Sequence, residues 1–572
     1  MQFMIDWKGD FRLKKKFFTG VLATAVIGSL LVQPALTDAA PSKKVNLADE
    51  MVNSLRLKTI HKLETYKQEK TSSFSQKTVR AMTAVTQVTV ANTLKPSNFH
   101  SYKMQVTKGG TLNVTETASD DYGYVVVNEE TGNEYFSGDT LTAGTYHFVV
   151  FSMSDAPVSY SLSVSGVTME MDTQLPTLNV TSPKTIDHRL PKNTTALTLS
   201  GSATGASNTF YALDGSDDIS FNSTSFNKQI TVSTGYHGVD LGATTATGNM
   251  VVQSHTVTAP GLKRIAGADR YAVSANVSKE AFPYGADTIV IARGDLYTDA
   301  LAGGPLAALN FAPMLLTTTN ALPAPITAEI KRLQPSRAII LGGTGSVSTA
   351  VENTLRNMGM TVERIAGADR FVVSANIASR IKADGFETDT AIIASGLNYP
   401  DALSASSPAG QIPLPILEVS TNSIPASIET YIKANGIKNF IIVGGPSTVS
   451  DTVKNKLQSF GGVVDRISGA NRFEVGVNIA NYFYDEQYGL MDPSNIVFAT
   501  GLDFPDAISG SPMAASIYSP MLLTYRDKLD PMVKSYLEKT VPSITKRDVF
   551  YLIGNTTTVN ATVESYLKSL ID

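Results

Sequence analysis

The sequence predicts a multidomain protein in which an all-β N-terminal part, built of β-sandwich units, precedes three α/β units with parallel sheets. Three observations carry this prediction. The chain is 572 residues long, apolar and polar residues alternate from about residue 98, and a pattern of about a hundred residues recurs three times after residue 260. Within each recurrence, short apolar runs alternate with helical patterns, which is typical of a parallel sheet covered on both faces.

Composition excludes several classes of protein. Lys and Arg number 47 against 51 Asp and Glu, a net charge of −4, so no polybasic surface exists to hold a nucleic acid, and none is expected as a partner. Cysteine is absent, which removes disulfides, thiolate metal sites and Cys nucleophiles. All six histidines precede residue 260, so the C-terminal half has no imidazole for a catalytic triad. We expect no cofactor and no metal.

The first 39 residues have the order of a secretory signal peptide. Arg12 and Lys14–Lys16 precede the apolar stretch Phe17–Val32, and small residues follow near Ala39. The alternative is a membrane anchor, but the stretch is shorter than the roughly 20 residues that a span needs and is diluted by hydroxyl residues. We therefore expect secretion to the cell surface, cleavage near Ala39 and no transmembrane anchor.

Residues 40–97 are predicted to be a helical segment and linker, because Leu47, Met51 and Leu55 recur at a helical interval. Residues 98–168 are predicted to form a β-sandwich. Apolar residues there recur at every second position, in the sets Tyr102/Met104/Val106, Tyr146/Phe148/Val150 and Tyr160/Leu162/Val164.

Residues 169–260 are predicted to be a second β-rich unit, heavy in Ser, Thr, Gly and Asn. Its acidic cluster Asp214, Asp217 and Asp218 leaves two interpretations open, a calcium site or an ordinary surface turn. Isolated polar residues such as His237 and Ser254 are interpreted as structural.

An internal repeat is the strongest pattern in the chain. The sequence Arg-Ile-Ala-Gly-Ala-Asp-Arg occupies 264–270 and again 364–370, and returns as Arg-Ile-Ser-Gly-Ala-Asn-Arg at 466–472. Three further landmarks recur in the same order: an Asp-Ala-Leu or Asp-Ala-Ile motif, a Pro-x-Leu run, and a Gly-Gly or Gly-Asn pair. The predicted units are 261–362, 363–463 and 464–572.

These four landmarks closely resemble the type 2 cell-wall-binding repeat of Gram-positive bacteria. The resemblance implies three Toprim-like α/β domains in a pseudo-threefold group, attached noncovalently to an anionic secondary polymer of the cell wall. It also implies that residues 40–260 are a displayed effector region, whose partner the sequence does not identify. The stretch 98–168 resembles prepeptidase C-terminal-like domains, and 169–260 resembles immunoglobulin-like spacers.

The motif residues are the candidates for polymer binding. Arginine can hold an anion bidentately, a glycine pair allows close backbone approach, and a carboxylate at a helix start can bind ligand or cap the helix. For the arginines, an internal Arg–Asp ion pair that fixes the turn is the alternative; for the aspartates, N-capping is. The candidates are Arg270, Arg370, Arg472, Asp299, Asp401, Asp506, Gly342, Gly343, Gly444 and Gly445.

The copies also differ from one another. Asn471 replaces Asp and Asn555 replaces the second Gly, which suggests that the third copy is degenerate, and Glu418 introduces a charge where the other copies have Leu. The predicted function is a wall-anchored binding or adhesion protein that is not an enzyme. The alternative is a cell-wall hydrolase, or its modifier or inhibitor, on the same anchor. Against a hydrolase, the chain contains no HExxH, GxSxG or Walker motif.

Overall fold

The computed structural model describes residues 83–571 apart from 117–120, 155, 193, 217, 284, 485–494 and 544–548. The chain forms two compact units, one ending at Gly261 and one beginning at Leu262. The predicted signal peptide and the predicted helix around Met51 lie outside the described residues. Within the described part, no helix combines the length and apolar character needed to cross a bilayer.

The first unit consists of β-strands in its described residues. They are β1 (Val85–Leu94), β2 (Asn98–Lys108), β3 (Gly110–Thr111), β4 (Asn113–Glu116), β5 (Tyr122–Asn128), β6 (Glu134–Tyr135), β7 (Thr140–Leu141), β8 (Gly144–Ser152), β9 (Val158–Met171), β10 (Thr177–Ser182), β11 (Asp187–Arg189), β12 (Ala196–Thr204), β13 (Asn208–Leu213), β14 (Ile219–Ser220), β15 (Ser225–Thr231), β16 (Gly235–Thr244) and β17 (Met250–Ala259).

The predicted alternation identified real strands of this unit. The alternating apolar residues of β2, β8 and β9 point into one core, in which Tyr102, Phe148 and Leu162 are fully buried. Strand β17 pairs antiparallel with β2, so one sheet continues across residue 168, the predicted boundary between two β domains. A second core lies among β12, β16 and β17, around Leu199 and Leu241.

The segment up to residue 97 differs from the prediction of a helix and linker. Residues 85–94 form β1, which pairs antiparallel along β9, with Val90 opposite Leu162. The 14-residue length of β9 explains the difference, since it offers a pairing edge that the local sequence does not reveal. Val90 and Leu94 are buried against the core while their neighbours stay exposed.

In the acidic cluster of the first unit, the Asp214 carboxylate is occupied by hydrogen bonds within the protein. Asp214 accepts hydrogen bonds from His237 Nδ1 at 2.7 Å and from the backbone N–H of Gly238 at 3.0 Å. Asp217 lies outside the described residues. Among the residues that the structure describes, no group of three acidic or histidine side chains is arranged to hold a metal ion.

The second unit alternates strands and helices, as predicted. Its strands are β18 (Gly261–Ile265), β19 (Thr288–Arg293), β20 (Met314–Thr317), β21 (Arg337–Leu341), β22 (Thr361–Ile365), β23 (Thr390–Ser395), β24 (Ile416–Val419), β25 (Asn439–Val443), β26 (Val463–Ile467), β27 (Ile496–Thr500), β28 (Met521–Thr524) and β29 (Val549–Ile553). Its helices are α1 (Arg270–Ala281), α2 (Gly304–Leu309), α3 (Ala324–Leu333), α4 (Thr349–Asn357), α5 (Arg370–Ala383), α6 (Pro400–Gln411), α7 (Ala426–Asn435), α8 (Asp451–Gln458), α9 (Arg472–Tyr484), α10 (Pro505–Ser516), α11 (Pro531–Ser543) and α12 (Ala561–Ile571).

Each repeat builds a four-stranded sheet with one strand taken from another repeat. The first sheet has the order β20-β19-β21-β22 and the second β24-β23-β25-β26, with parallel neighbours throughout. The fourth strand in each case carries the Arg-Ile start of the following copy. The third sheet has the order β18-β29-β27-β28, so the first strand of the first repeat completes the sheet of the third. The three copies are therefore linked in a closed ring.

Three equivalent helices meet at the centre of this ring. Each of α2, α6 and α10 contacts the other two. Small residues line the contact: the Ser406 and Ser511 hydroxyls are 2.7 Å apart, and Gly304 faces both of them. Ser406 and Ser511 are each 2% exposed, so the hydroxyls satisfy one another away from water.

Candidate functional site

A glycine turn follows the third strand of each repeat. Gly342, Gly444 and Gly554 have φ of +98°, +106° and +113°, a conformation that favours glycine. Each donates its N–H to the isoleucine carbonyl of the added fourth strand, as Gly342 does to Ile365 at 2.8 Å. The first glycine of each predicted pair is therefore required by backbone geometry and ties one copy to the next.

The second position of the pair is different. A side chain at Gly343 or Gly445 would meet nothing within 4 Å, and neither residue has a positive φ. The residue Asn555 in the third copy has no positive φ either. The left-handed conformation belongs to Gly554, so the replacement of the second glycine by Asn555 does not disturb the turn. The third turn keeps the geometry of the other two.

The three aspartates lie against these turns. The Ser346 hydroxyl donates to Asp299, the Thr448 hydroxyl donates to Asp401 at 3.4 Å, and Thr558 bonds Asp506. Burial raises the pKa of Asp401 and raises that of Asp506 to about 6, while these hydroxyls and a nearby arginine oppose the shift. Each carboxyl is thus held in place by the turn behind it.

The aspartates are not N-caps, contrary to the alternative considered for them. Tyr399 occupies the N-cap position of α6 and Phe504 that of α10, and Asp401 and Asp506 lie inside the first helical turn. Their oxygens turn back to the glycine loop instead of to the helix N–H groups. A carboxylate in the first turn still interacts favourably with the helix dipole.

The candidate arginines contact two repeats at once. Each donates to the carbonyl of a glycine in its own copy: Arg270 to Gly294 at 2.7 Å, Arg370 to Gly396 at 2.6 Å and Arg472 to Gly501 at 2.6 Å. Each guanidinium also lies over an aromatic side chain of the neighbouring copy. The distances to the aromatic centroids are 6.0 Å from Arg270 to Phe504, 5.7 Å from Arg370 to Tyr297 and 5.8 Å from Arg472 to Tyr399.

Among the described residues, the arginine and the aspartate inside the motif do not form the ion pair that was considered as the alternative. Asp269 and Asp369 instead cap the following helix, with Asp269 Oδ1 accepting the N–H of Tyr271 and Ala272. Asn471 caps α9 in the same way. Because a neutral amide oxygen can cap as well as a carboxylate, the change to Asn471 leaves the turn intact.

The aromatic rings are the site residues that sequence reasoning did not select. Tyr297, Tyr399 and Phe504 form a triangle with centroid separations of 5.3, 5.5 and 5.7 Å. Each precedes the candidate aspartate by two residues, so an aromatic recurring at that position was the available signal. One or two residues before them in the chain, Leu296, Leu397 and Leu502 are 41, 53 and 55% exposed.

We use "junction" for each place where two copies meet at this triangle. The Arg370 junction contains Arg370, Tyr297 and Asp299; the Arg472 junction contains Arg472, Tyr399 and Asp401; the Arg270 junction contains Arg270, Phe504 and Asp506. Arg472 and Arg270 are close enough to lower the pKa of Asp401 and Asp506, respectively. Candidates that are far apart in sequence thus come together between repeats, each junction pairing an arginine with an aspartate of another copy.

The first arginine of the motif also joins two copies, through contacts with the glycine turn and with the helix that follows it. Arg264 donates to Glu564 Oε2 at 2.8 and 3.0 Å and to the Gly554 carbonyl at 2.9 Å. Arg364 makes the equivalent bonds to Glu352 and Gly342. These ion pairs are only partly exposed and hold the exchanged strands in place.

A Ser-His-Asp arrangement in the first unit bears on the enzyme alternative. The Ser233 hydroxyl is 3.5 Å from His237 Nε2, and Asp214 is 2.7 Å from Nδ1. The same Nε2 is 2.8 Å from the Ser233 carbonyl. Nε2 is thus closer to a backbone carbonyl, which only accepts hydrogen bonds, than to the hydroxyl, whereas a general base needs a ring nitrogen free to accept from the hydroxyl. The geometry is that of a structural histidine.

Comparison with known proteins agrees with this architecture. The family described as Cell wall binding domain 2 (CWB2) matches residues 264–352, 364–454 and 466–564. The C-terminal region belongs to the Cell wall binding domain 2 family. Its three tandem copies, identified above by motif, are confirmed as CWB2 repeats and indicate cell wall binding.

Two relatives from Bacillus subtilis (strain 168) share this region. The chain is 32% identical over 308 residues to N-acetylmuramoyl-L-alanine amidase LytC, covering 54% of this chain and 58% of LytC. It is 30% identical over 307 residues to an amidase enhancer, covering 53% of this chain and 40% of the relative. The chain thus spans about half the length of the curated relatives that it matches.

A solved structure has a related fold. Cwp6 from Clostridium difficile superposes with a TM-score of 0.52 at 22% identity, covering 69% of this chain and 68% of Cwp6. The prediction of a β-rich N-terminal part followed by α/β repeats with parallel sheets is confirmed by the strands and helices described above.

Proposed function

We propose that this protein is secreted and held noncovalently on the Gram-positive cell wall by its CWB2 repeats, which bind an anionic secondary wall polymer at the three junctions. The polymer contacts are the predicted arginine, aspartate and glycine residues together with the aromatic triangle. The repeats act as three Toprim-like domains with the predicted boundaries, in a pseudo-threefold group. Residues 40–260 are the displayed effector or adhesion region.

The observation that carries the proposal is the threefold recurrence of one arginine over one aromatic ring. A guanidinium binds phosphate or carboxylate groups, and aromatic and aliphatic surface packs against the apolar faces of sugars. The exposed leucines beside the triangle extend that surface. Three such places in one folded unit suit a polymer that repeats the same group, because linked contacts raise the effective concentration of the second and third.

The experiment is sedimentation of the full chain with washed Gram-positive cell walls, before and after chemical removal of the secondary polymers. We expect binding that disappears with the polymers and weakens with salt. Arg270→Met, Arg370→Met and Arg472→Met, singly and together, keep the aliphatic stem and remove the charge. Arg356→Met is the matched control, since Arg356 is a half-exposed residue paired with Glu352 in its own helix.

Circular dichroism verifies that each variant is folded. The triple variant should lose at least tenfold in affinity and most of its salt dependence, whereas Arg356→Met should not change. A folded triple variant with unchanged affinity and salt dependence would show that the arginines only fix the junctions. Binding that survives polymer removal would show that another wall component is the ligand.

A modifier of wall hydrolysis is the second candidate, because the names of the two relatives are an amidase and an amidase enhancer. We propose that the chain is not itself an enzyme, which the geometry at His237 supports. Release of dye from labelled peptidoglycan separates these outcomes. Release by the chain alone identifies a hydrolase, and faster release only when a purified amidase is added identifies a modifier.

A further inference from the structure

One junction differs from the other two in a buried charge. The third residue of the equivalent strands β20, β24 and β28 is Leu316 in the first copy, Glu418 in the second and Leu523 in the third. All three side chains are buried, with exposures of 0, 0 and 1%. They occupy equivalent places beside the glycine whose carbonyl accepts the hydrogen bond of the junction arginine. If that glycine carried a Cβ, it would lie 3.2 to 3.3 Å from the Cβ of Leu316, Glu418 or Leu523.

The Glu418 carboxyl therefore lies beneath Arg370. Its Oε2 atom would be 2.8 Å from a Cβ on Gly396, and the Gly396 carbonyl accepts Arg370 Nη1 at 2.6 Å. Oε2 has no hydrogen-bond partner among the described residues. Burying a carboxyl without a partner is costly, and leucine at the two equivalent positions shows that the fold accepts an apolar residue there.

The charged groups around Glu418 come from two copies of the repeat. Arg370 at the start of α5 attracts the carboxylate, whereas Asp369 at the cap of the same helix and Asp299 of the preceding copy repel it. Burial is the largest influence and raises the pKa of Glu418 well above its usual value.

We propose that Glu418 adds a buried proton-dependent charge to the Arg370 junction, which the other two junctions lack at this position: the junction takes an anionic group of the polymer while Glu418 is protonated and loses affinity for that group when the carboxylate forms. The reason is electrostatic. An ionised Glu418 adds a buried negative charge beneath Arg370, whereas leucine adds none at the equivalent places beneath Arg270 and Arg472. Glu418 is a specificity-determining residue that acts through Arg370. This proposal rests on the proposed wall binding at the junctions.

The experiment compares the full chain with Glu418→Gln and Glu418→Leu in sedimentation with washed Gram-positive walls from pH 5 to pH 9 at constant ionic strength. Glutamine copies the protonated side chain, and leucine copies the other junctions. Ionisation of wall amines and of Asp506 is common to all three proteins, so the measured quantity is the ratio of affinities at each pH. We expect the ratio of Glu418→Gln to the unmodified chain to rise from near one to roughly three- to thirtyfold as pH increases.

Two further measurements separate this role from packing. Thermal melting should show Glu418→Leu at least as stable as the unmodified chain, and a packing role would change melting without changing the pH dependence of binding. Leu316→Glu in the Glu418→Gln chain should bring the pH dependence back, now at the Arg270 junction. The proposal is overturned if the folded Glu418 variants and the unmodified chain keep a constant affinity ratio across the range. If the unmodified chain binds walls at no pH, both the proposed function and this inference fail.

Discussion

The contact among the three central helices makes a specific prediction about Gly304. A Cβ at this position would lie closer than 3.0 Å to the hydroxyl oxygens of both Ser406 and Ser511, and 3.3 Å from Ser406 Cβ. Real side chains do not tolerate such separations, so Gly304→Ala must push the helices or the hydroxyls apart. Overpacking of this kind costs about 1–3 kcal/mol. The helix preference of Ala over Gly returns about 0.5–1 kcal/mol, which leaves a net loss of about 0–2.5 kcal/mol, with a central value near 1 kcal/mol.

The assay is urea unfolding of the full chain, followed by circular dichroism at 222 nm. Because every helix among the described residues lies in the second unit, this signal reports on the repeats. Gly304→Ala should lower the stability of the helical transition by the net amount. Gly343→Ala is the matched control, because a Cβ there meets nothing within 4 Å, and it should change stability by less than about 0.5 kcal/mol.

A double-mutant cycle tests the physical cause. Ser406→Ala with Ser511→Ala removes both hydroxyl oxygens that the new methyl group would overlap, so Gly304→Ala should cost about zero in that background. Equal destabilisation in both backgrounds would refute the steric explanation. No destabilisation in the native background would refute the close approach of the three helices itself.

Two other predictions concern pH and ring closure. Burial lowers the pKa of His100 from 6.5 to about 4, so below pH 6.5 the unfolded chain binds a proton at this residue that the folded chain does not. The first unit should therefore lose up to about 3 kcal/mol of stability from this residue as the pH falls from 6.5 to 4. The variant His100→Gln should remove that loss in urea titrations followed by near-ultraviolet circular dichroism. Arg264→Met removes the bonds to Glu564 and Gly554 that hold the first strand in the third sheet, and should lower the stability of the helical transition by about 2–4 kcal/mol. The exposed pair of Lys382 provides the control, since Lys382→Met should stay within about 0.5 kcal/mol; an equal loss in both variants would contradict the role of Arg264.

The sequence alone was sufficient for properties that repeat or alternate locally. Alternation at every second residue identified strands such as β8, because a sheet with one buried face requires it. Recurrence of the Arg-Ile-Ala-Gly motif established three α/β copies and the arginine, aspartate and glycine positions of the junctions. The strand β1 was not predicted because its partner β9 lies some 70 residues away in the sequence, and pairing at that distance leaves no local pattern.

Only the tertiary structure decided which copy each residue serves. Motif spacing places Arg370 in the second repeat, but its ring partner Tyr297 belongs to the first, because the copies close into a ring through strands that each repeat donates to another. In the same way, the sequence shows that Glu418 is charged where the other two copies have leucine. Its burial beneath Arg370 follows from the packing of β24 against α5. Sequence periodicity reports the environment of each residue relative to its own strand or helix. The junctions depend on contacts between copies about a hundred residues apart, and those were determined by the assembled fold.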